Sequence, residues 1–117
     1  MKVLVVGASE NSERYSNMAI QLLKKHNHEV LAVGAREGRV GDTVIHREFP
    51  SDEINTVTLY VGPDRQNNIM EKIISLHPKR VIFNPGTENP NFYKKLSKAG
   101  ISFEEACTLV LLNTNAF

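Results

Sequence analysis

The chain has 117 residues, 41% of them apolar and 23% charged, which suits one folded domain and excludes both a disordered chain and a second, substrate-handling domain. Fourteen Lys and Arg against thirteen Asp and Glu leave a formal net charge of +1, so no global field draws the chain to nucleic acid or to an anionic membrane, and any anion must be held locally. A single cysteine excludes an internal disulfide, a β-like segment follows Met1 directly where a secretory signal would stand, and no apolar run approaches the roughly 20 residues of a membrane span, so a reducing cytoplasm is expected.

Lys2 to Val6 is a continuous apolar run that stops at Gly7, the pattern of a strand buried on both faces of a parallel sheet. A helix follows, with Met18, Ala19, Leu22 and Leu23 as its inward stripe and Lys24 and Lys25 in the last turn, where cations suit the helix dipole. Glu29 to Val33 is the second strand, ending at Gly34, and Thr43 to Ile45 a weaker third. The segment from Ala35 to Asn55 is otherwise the least regular. Thr56 to Val61 is the fourth strand, ending at Gly62, and a helix is predicted from Pro63 to Leu76, with Pro78 blocking its extension. Arg80 to Phe83 is the fifth strand, ending at Asn84-Pro85-Gly86, and Pro90 to Ala99 a helix capped by Asn89 and closed by Gly100. Ile101 to Glu104 is a last strand before the tail Ala106 to Phe117.

Strands alternating with helices predict an α/β domain over residues 1–117, Rossmann-like and three-layered. The expected sheet is open and mostly parallel, with five to six strands in the order 3-2-1-4-5-6.

In such a sheet a ligand binds outside the carboxyl ends of the strands, where the order reverses. Four segments meet there: Gly7-Ala8-Ser9, Gly34-Ala35-Arg36, Tyr60-Val61-Gly62-Pro63 and Asn84-Pro85-Gly86-Thr87. Gly7 permits a tight turn, and small Ala8 and Ser9 let a phosphate approach main-chain N–H groups near the next helix. Ser9 and Ser12 stand where the dinucleotide fingerprint has its other glycines, so that motif is only partly present. After the second strand an NAD site places a carboxylate for the ribose hydroxyls; here Arg36 offers a donor fork suited to the 3′-phosphate of coenzyme A or the 2′-phosphate of NADP. Arg36 alternatively joins Glu37 and Arg39 as a solvated loop charge, and Arg14 either reaches back over the phosphates or pairs with Glu10 or Glu13.

With these loops in view the chain resembles the small CoA-binding-domain family and is similar to the nucleotide-binding part of the succinyl-CoA synthetase alpha subunit. The resemblance rests on Val6-Gly7-Ala8-Ser9 with Arg14 and Ser16-Asn17, on Thr58-Leu59-Tyr60-Val61-Gly62-Pro63, on Phe83-Asn84-Pro85-Gly86-Thr87-Glu88-Asn89-Pro90, and on Glu104-Glu105-Ala106-Cys107-Thr108-Leu109-Val110. It implies that the first turn and the end of the second strand hold the ADP portion of coenzyme A, while the loops after the fourth and fifth strands line the pantetheine path. Related domains often have Pro where Ala35 stands. The phosphohistidine and grasp domain of the larger synthetases do not fit in this chain, so the resemblance implies binding rather than ligation.

Cys107 falls near the end of the last strand, either as an inert buried thiol or close enough to the coenzyme thiol to form a mixed disulfide under oxidation. His26, His28 and His77 end helices and His46 follows a strand, without the spacing of a metal site. No catalytic pair is placed by the sequence. Three readings follow: a non-enzymatic module for coenzyme A or an acyl-CoA, with a homodimer an open assembly; a small NADP-dependent oxidoreductase; and a partner-binding domain without a ligand.

Overall fold

The computed structural model describes residues 1–117. In chain order it contains β1 (Lys2–Val6), α1 (Tyr15–Lys25), β2 (Glu29–Val33), β3 (Gly38–Val40), β4 (Thr43–His46), β5 (Thr56–Leu59), a 3-10 turn (Pro63–Arg65), α2 (Met70–Leu76), β6 (Arg80–Phe83), α3 (Pro90–Lys98), β7 (Ser102–Glu105) and α4 (Thr108–Asn113). The sheet order is β3-β4-β2-β1-β5-β6-β7, parallel throughout except that β3 runs against β4. With β4 as the third predicted strand, the expected order 3-2-1-4-5-6 holds, and β3 adds a seventh strand at the edge. Its three residues are joined to β4 by Gly41 and Asp42, with Gly41 at φ +59°, a two-residue hairpin loop that reads as irregular in sequence.

Alternate residues of the central strands feed two cores. Val3, Val5, Ala32 and Ile45 pack with Ile20 and Leu23 of α1 and Leu112 of α4 on one face. Leu4, Val6, Val57, Leu59, Val81 and Phe83 pack with Met70 and Ile73 of α2 and Phe92 and Leu96 of α3 on the other. The Phe83 ring meets Phe92 edge-on, with centroids 5.4 Å apart. Three layers result, as expected.

Five local expectations change. The inward face of α1 is Ser16, Asn17, Ala19, Ile20 and Leu23 with Leu22 at its margin, so Ala19, Leu22 and Leu23 stand as expected while Met18 faces solvent at 38% exposure and Asn17 turns inward to the Ser9 carbonyl. The helix predicted from Pro63 to Leu76 divides into a 3-10 turn and α2; the five polar residues from Asp64 to Asn68 give it no apolar face, and Gln66 turns inward between the two pieces. The strand predicted over Thr56 to Val61 ends at Leu59, and the last strand lies one residue later than expected. The tail Ala106 to Phe117 contains α4, whose Leu112 completes the α1-side core.

Candidate functional site

The chain leaves β1 for β2 on one side of the sheet and later places β5 on the other, so the order reverses between the carboxyl ends of β1 and β5. Two glycines let these ends close together. Gly7 has φ +93°, and a Cβ there would stand 3.0 Å from the Tyr60 carbonyl carbon. A Cβ on Gly34 would stand 2.4 Å from the Ala8 carbonyl oxygen, so no larger residue fits between the first two loops without moving backbone.

The first loop uses its donors in an order the sequence does not reveal. Gly7 and Ala8 both donate their N–H groups to the Val33 carbonyl at 2.9 Å, which joins the ends of β1 and β2. Beyond them, Ser9 Oγ accepts the Asn11 N–H at 3.1 Å and Asn11 Oδ1 the Glu13 N–H at 3.0 Å. Asn17 donates to the Ser9 carbonyl at 3.0 Å and accepts from Gln21 at 2.7 Å, and with buried Ser16 it anchors the loop to α1. The main-chain N–H groups of Ser9, Glu10 and Ser12, and of Tyr15 and Ser16 in the first turn of α1, have no acceptor in the protein. They stand at the positive end of an 11-residue helix.

Arg14 precedes α1 with an extended backbone and an exposed side chain. The ion pairs of the molecule are Lys2 with Glu29 and Asp52, Lys24 with Asp42, Arg80 with Glu104, and Lys95 with Glu71; Arg14, Arg36, Arg39 and Arg47 belong to none of them. The pairing of Arg14 with Glu10 or Glu13 that its spacing allows does not form. Ala35 and Arg36 are exposed on the connection from β2 to β3, whose first residue is fixed by the Gly34 N–H donating to the His46 carbonyl at 2.9 Å.

The loops after β5 and β6 are built differently. Asn84 is buried, donates to Thr58 Oγ1 at 2.7 Å and the Leu59 carbonyl at 2.9 Å, and accepts the Thr108 N–H at 2.9 Å, so it locks β5, β6 and α4 together. Thr87 turns back on the Asn84 carbonyl at 2.7 Å through its hydroxyl. Gln66, fully buried, donates to the Val61 and Thr87 carbonyls at 2.8 and 2.7 Å and accepts from Asn89 at 2.9 Å. Asn89 in turn caps α3 by accepting the Asn91 and Phe92 N–H groups. Pro85 and Gly86 project into solvent, and the Gly86 N–H is taken by Glu88 at 2.9 Å. Val61 and Gly62 are half-buried beside them.

Tyr60 closes the gap between the two sides. Its hydroxyl is buried without a hydrogen-bond partner, close to the Thr58–Thr108 hydroxyl pair, whose oxygens lie 2.7 Å apart. Burial pushes the phenol up to about 12. Cys107, half-buried immediately before α4, lies beside it. No three His, Cys, Asp or Glu side chains converge on one point to hold a metal. An open surface groove lies elsewhere, between α2 and α3, rimmed by Glu71, Lys94, Lys95 and Lys98.

The structure thus brings all four predicted loops to one end of the sheet. Sequence reasoning missed Gln66, Thr108 and Glu10. Gln66 had a signal in the polar run at 64–68, and the alternation Thr56, Thr58, Tyr60 in a central strand marked one face of β5 as polar.

A family model described as CoA binding domain matches residues 1–113. Among solved structures, a crystal structure of an uncharacterized protein is 44% identical with a TM-score of 0.95 and covers 99% of this chain and 97% of its own. A hypothetical protein from Pyrococcus horikoshii OT3 is 27% identical with a TM-score of 0.86, covering 96% and 81%. A Thermus thermophilus structure at 18% identity, with a TM-score of 0.89 over 99% and 90%, shares the fold. No curated protein matches the chain.

Proposed function

The chain belongs to the CoA-binding domain family, and from that premise we propose that it binds coenzyme A or an acyl-CoA across the carboxyl ends of β2, β1, β5 and β6, in the cytoplasm and without catalysis of its own. The observation that carries this reading is the set of unpartnered main-chain donors at Ser9, Glu10, Ser12, Tyr15 and Ser16, beside arginines that no carboxylate neutralises. A diphosphate satisfies those donors and complements the helix dipole. Arg14 closes over it, and Arg36, at the end of β2, takes the 3′-phosphate of the adenosine ribose. Gly7 and Gly34 serve indirectly, by letting the loops after β1, β2 and β5 close on one another, and small Ala8 and Ala35 leave the strand ends open to the ligand. Pantetheine then runs along Tyr60, Val61 and Gly62 and past Asn84, Pro85, Gly86 and Thr87, with its thiol toward Cys107.

Arg36 would equally suit the 2′-phosphate of NADP, so the decisive experiment compares ligands. Thermal unfolding is followed with coenzyme A, dephospho-CoA, NADP, NAD and ATP. Coenzyme A is expected to stabilise most, by about 2.7 kcal/mol at one hundred times its dissociation constant. A larger effect of NADP would favour an oxidoreductase, and no effect of any of them would leave a partner surface as the better account.

A further inference from the structure

One acidic side chain connects the two loops assigned to the adenosine portion. Glu10 leaves the loop after β1 and lies so closely on Gly38 that a Cβ there would stand 2.4 Å from its Cδ. Its Oε2 accepts the Arg39 N–H at 3.0 Å. β3 has β4 on one side only, so this amide belongs to an open sheet edge. Arg14, Arg36, Arg39 and Arg47 have no carboxylate partner, yet Glu10 is committed to a main-chain N–H rather than to any guanidinium.

The placement matters because of what the connection carries. Arg36 rides on residues 34–37, between the end of β2 at Val33 and the start of β3 at Gly38. The near end is fixed by the Gly34 N–H on the His46 carbonyl, and the far end by Glu10 on Arg39. A hairpin with one three-residue strand is marginal by itself; Val40 seats its far end in the α1-side core, while Gly38 and Arg39, next to the Arg36 connection, have no strand beyond them. A carboxylate accepting a main-chain N–H is among the stronger hydrogen bonds available at a surface.

We propose that Glu10 is a positioning residue: by clasping the β3–β4 hairpin to the first loop it holds Arg36 at a fixed distance from the diphosphate donors and preforms the seat for a 3′-phosphorylated adenosine. The inference rests on the coenzyme A reading above. Its cost is a negative charge near the ligand's phosphates, so a neutral acceptor at the same place, with a weaker bond but no repulsion, should leave the affinity nearly unchanged.

Glu10→Gln keeps an oxygen for the Arg39 N–H and removes the charge; Glu10→Ala removes both. Calorimetric titration should show Glu10→Ala binding coenzyme A about tenfold more weakly, with Glu10→Gln within about twofold of the unmodified protein. The loss should be smaller for dephospho-CoA and absent for 4′-phosphopantetheine, which a general loosening of the fold would not produce. Amide exchange should be slow at Arg39 in the unmodified protein and in Glu10→Gln, and fast in Glu10→Ala. Unchanged affinity in Glu10→Ala, or tighter binding in both variants, overturns the clasp while the unmodified protein still binds coenzyme A. Failure of the unmodified protein to bind coenzyme A overturns the proposed function, and this inference with it.

Discussion

The two halves of the candidate site treat polar groups in opposite ways. After β5 and β6, the side chains of Gln66, Asn84, Thr87 and Asn89 are buried and bonded to one another or to main chain. After β1 and β2, the side chains are short or exposed, and several main-chain donors are left over. One half is therefore a scaffold whose polar residues shape a wall, and the other is a surface with unsatisfied capacity for an anion. A residue that recurs in a binding motif need not touch the ligand; Asn84, with both N–H bonds and one oxygen lone pair engaged inside the protein, is better suited to holding three elements in place.

Breaking the scaffold should have the largest effect. Gln66→Leu keeps most of the volume but strands the Val61 and Thr87 carbonyls and the Asn89 amide, and should destabilise by about 3 kcal/mol or more in denaturant unfolding. A loss under about 1 kcal/mol would mean that water replaces the side chain and that this half is not the rigid one. Arg36→Ala tests the open half. Stability should scarcely change, while coenzyme A affinity should fall by about 1.5 to 3 kcal/mol and dephospho-CoA affinity should hold. Equal losses for both ligands would remove Arg36 from phosphate recognition.

The smallest effect should come from Tyr60, which follows β5 and packs on the α1-side core. Its phenol is raised from 10.0 to about 12, so folding favours the neutral form; that contribution is complete below pH 10 and is lost as the pH rises through 10 to about 12. Tyr60→Phe removes an unpartnered buried hydroxyl and should raise stability at neutral pH by up to about 1 kcal/mol, while flattening the alkaline decline. Weaker coenzyme A binding in this more stable variant would show that the hydroxyl serves the ligand, and unchanged binding would confine it to the core.

Much of the architecture was legible because burial on both faces forces continuous apolar runs, and each run stops where a turn is needed. Gly7 and Gly34 in particular announce the close approach that the structure displays. β3 was hidden by its length, since three residues carry no periodicity, and α4 because the apolar run Leu109 to Leu112 suits a strand equally well. At the site, the loops were legible and their hydrogen bonding was not. That Val33 occupies the Gly7 and Ala8 amides, and moves the free donors to Ser9 and beyond, depends on where a neighbouring strand ends. Gln66 looked like a helix residue because only the tertiary arrangement brings the Val61 and Thr87 carbonyls within its reach.

The margins of the sheet have a consequence for behaviour in crowded solution. One is the three-residue β3, with the Glu10 carboxylate already seated on its outward amide; the other is β7, which shows Ser102, Glu104 and Glu105 to water. A foreign strand arriving at either border would meet a short ladder, obstructed at β3 by Glu10 and flanked at β7 by polar side chains engaged with Arg80 and Tyr93, so growth by strand addition is opposed at both ends even though the central strands are apolar.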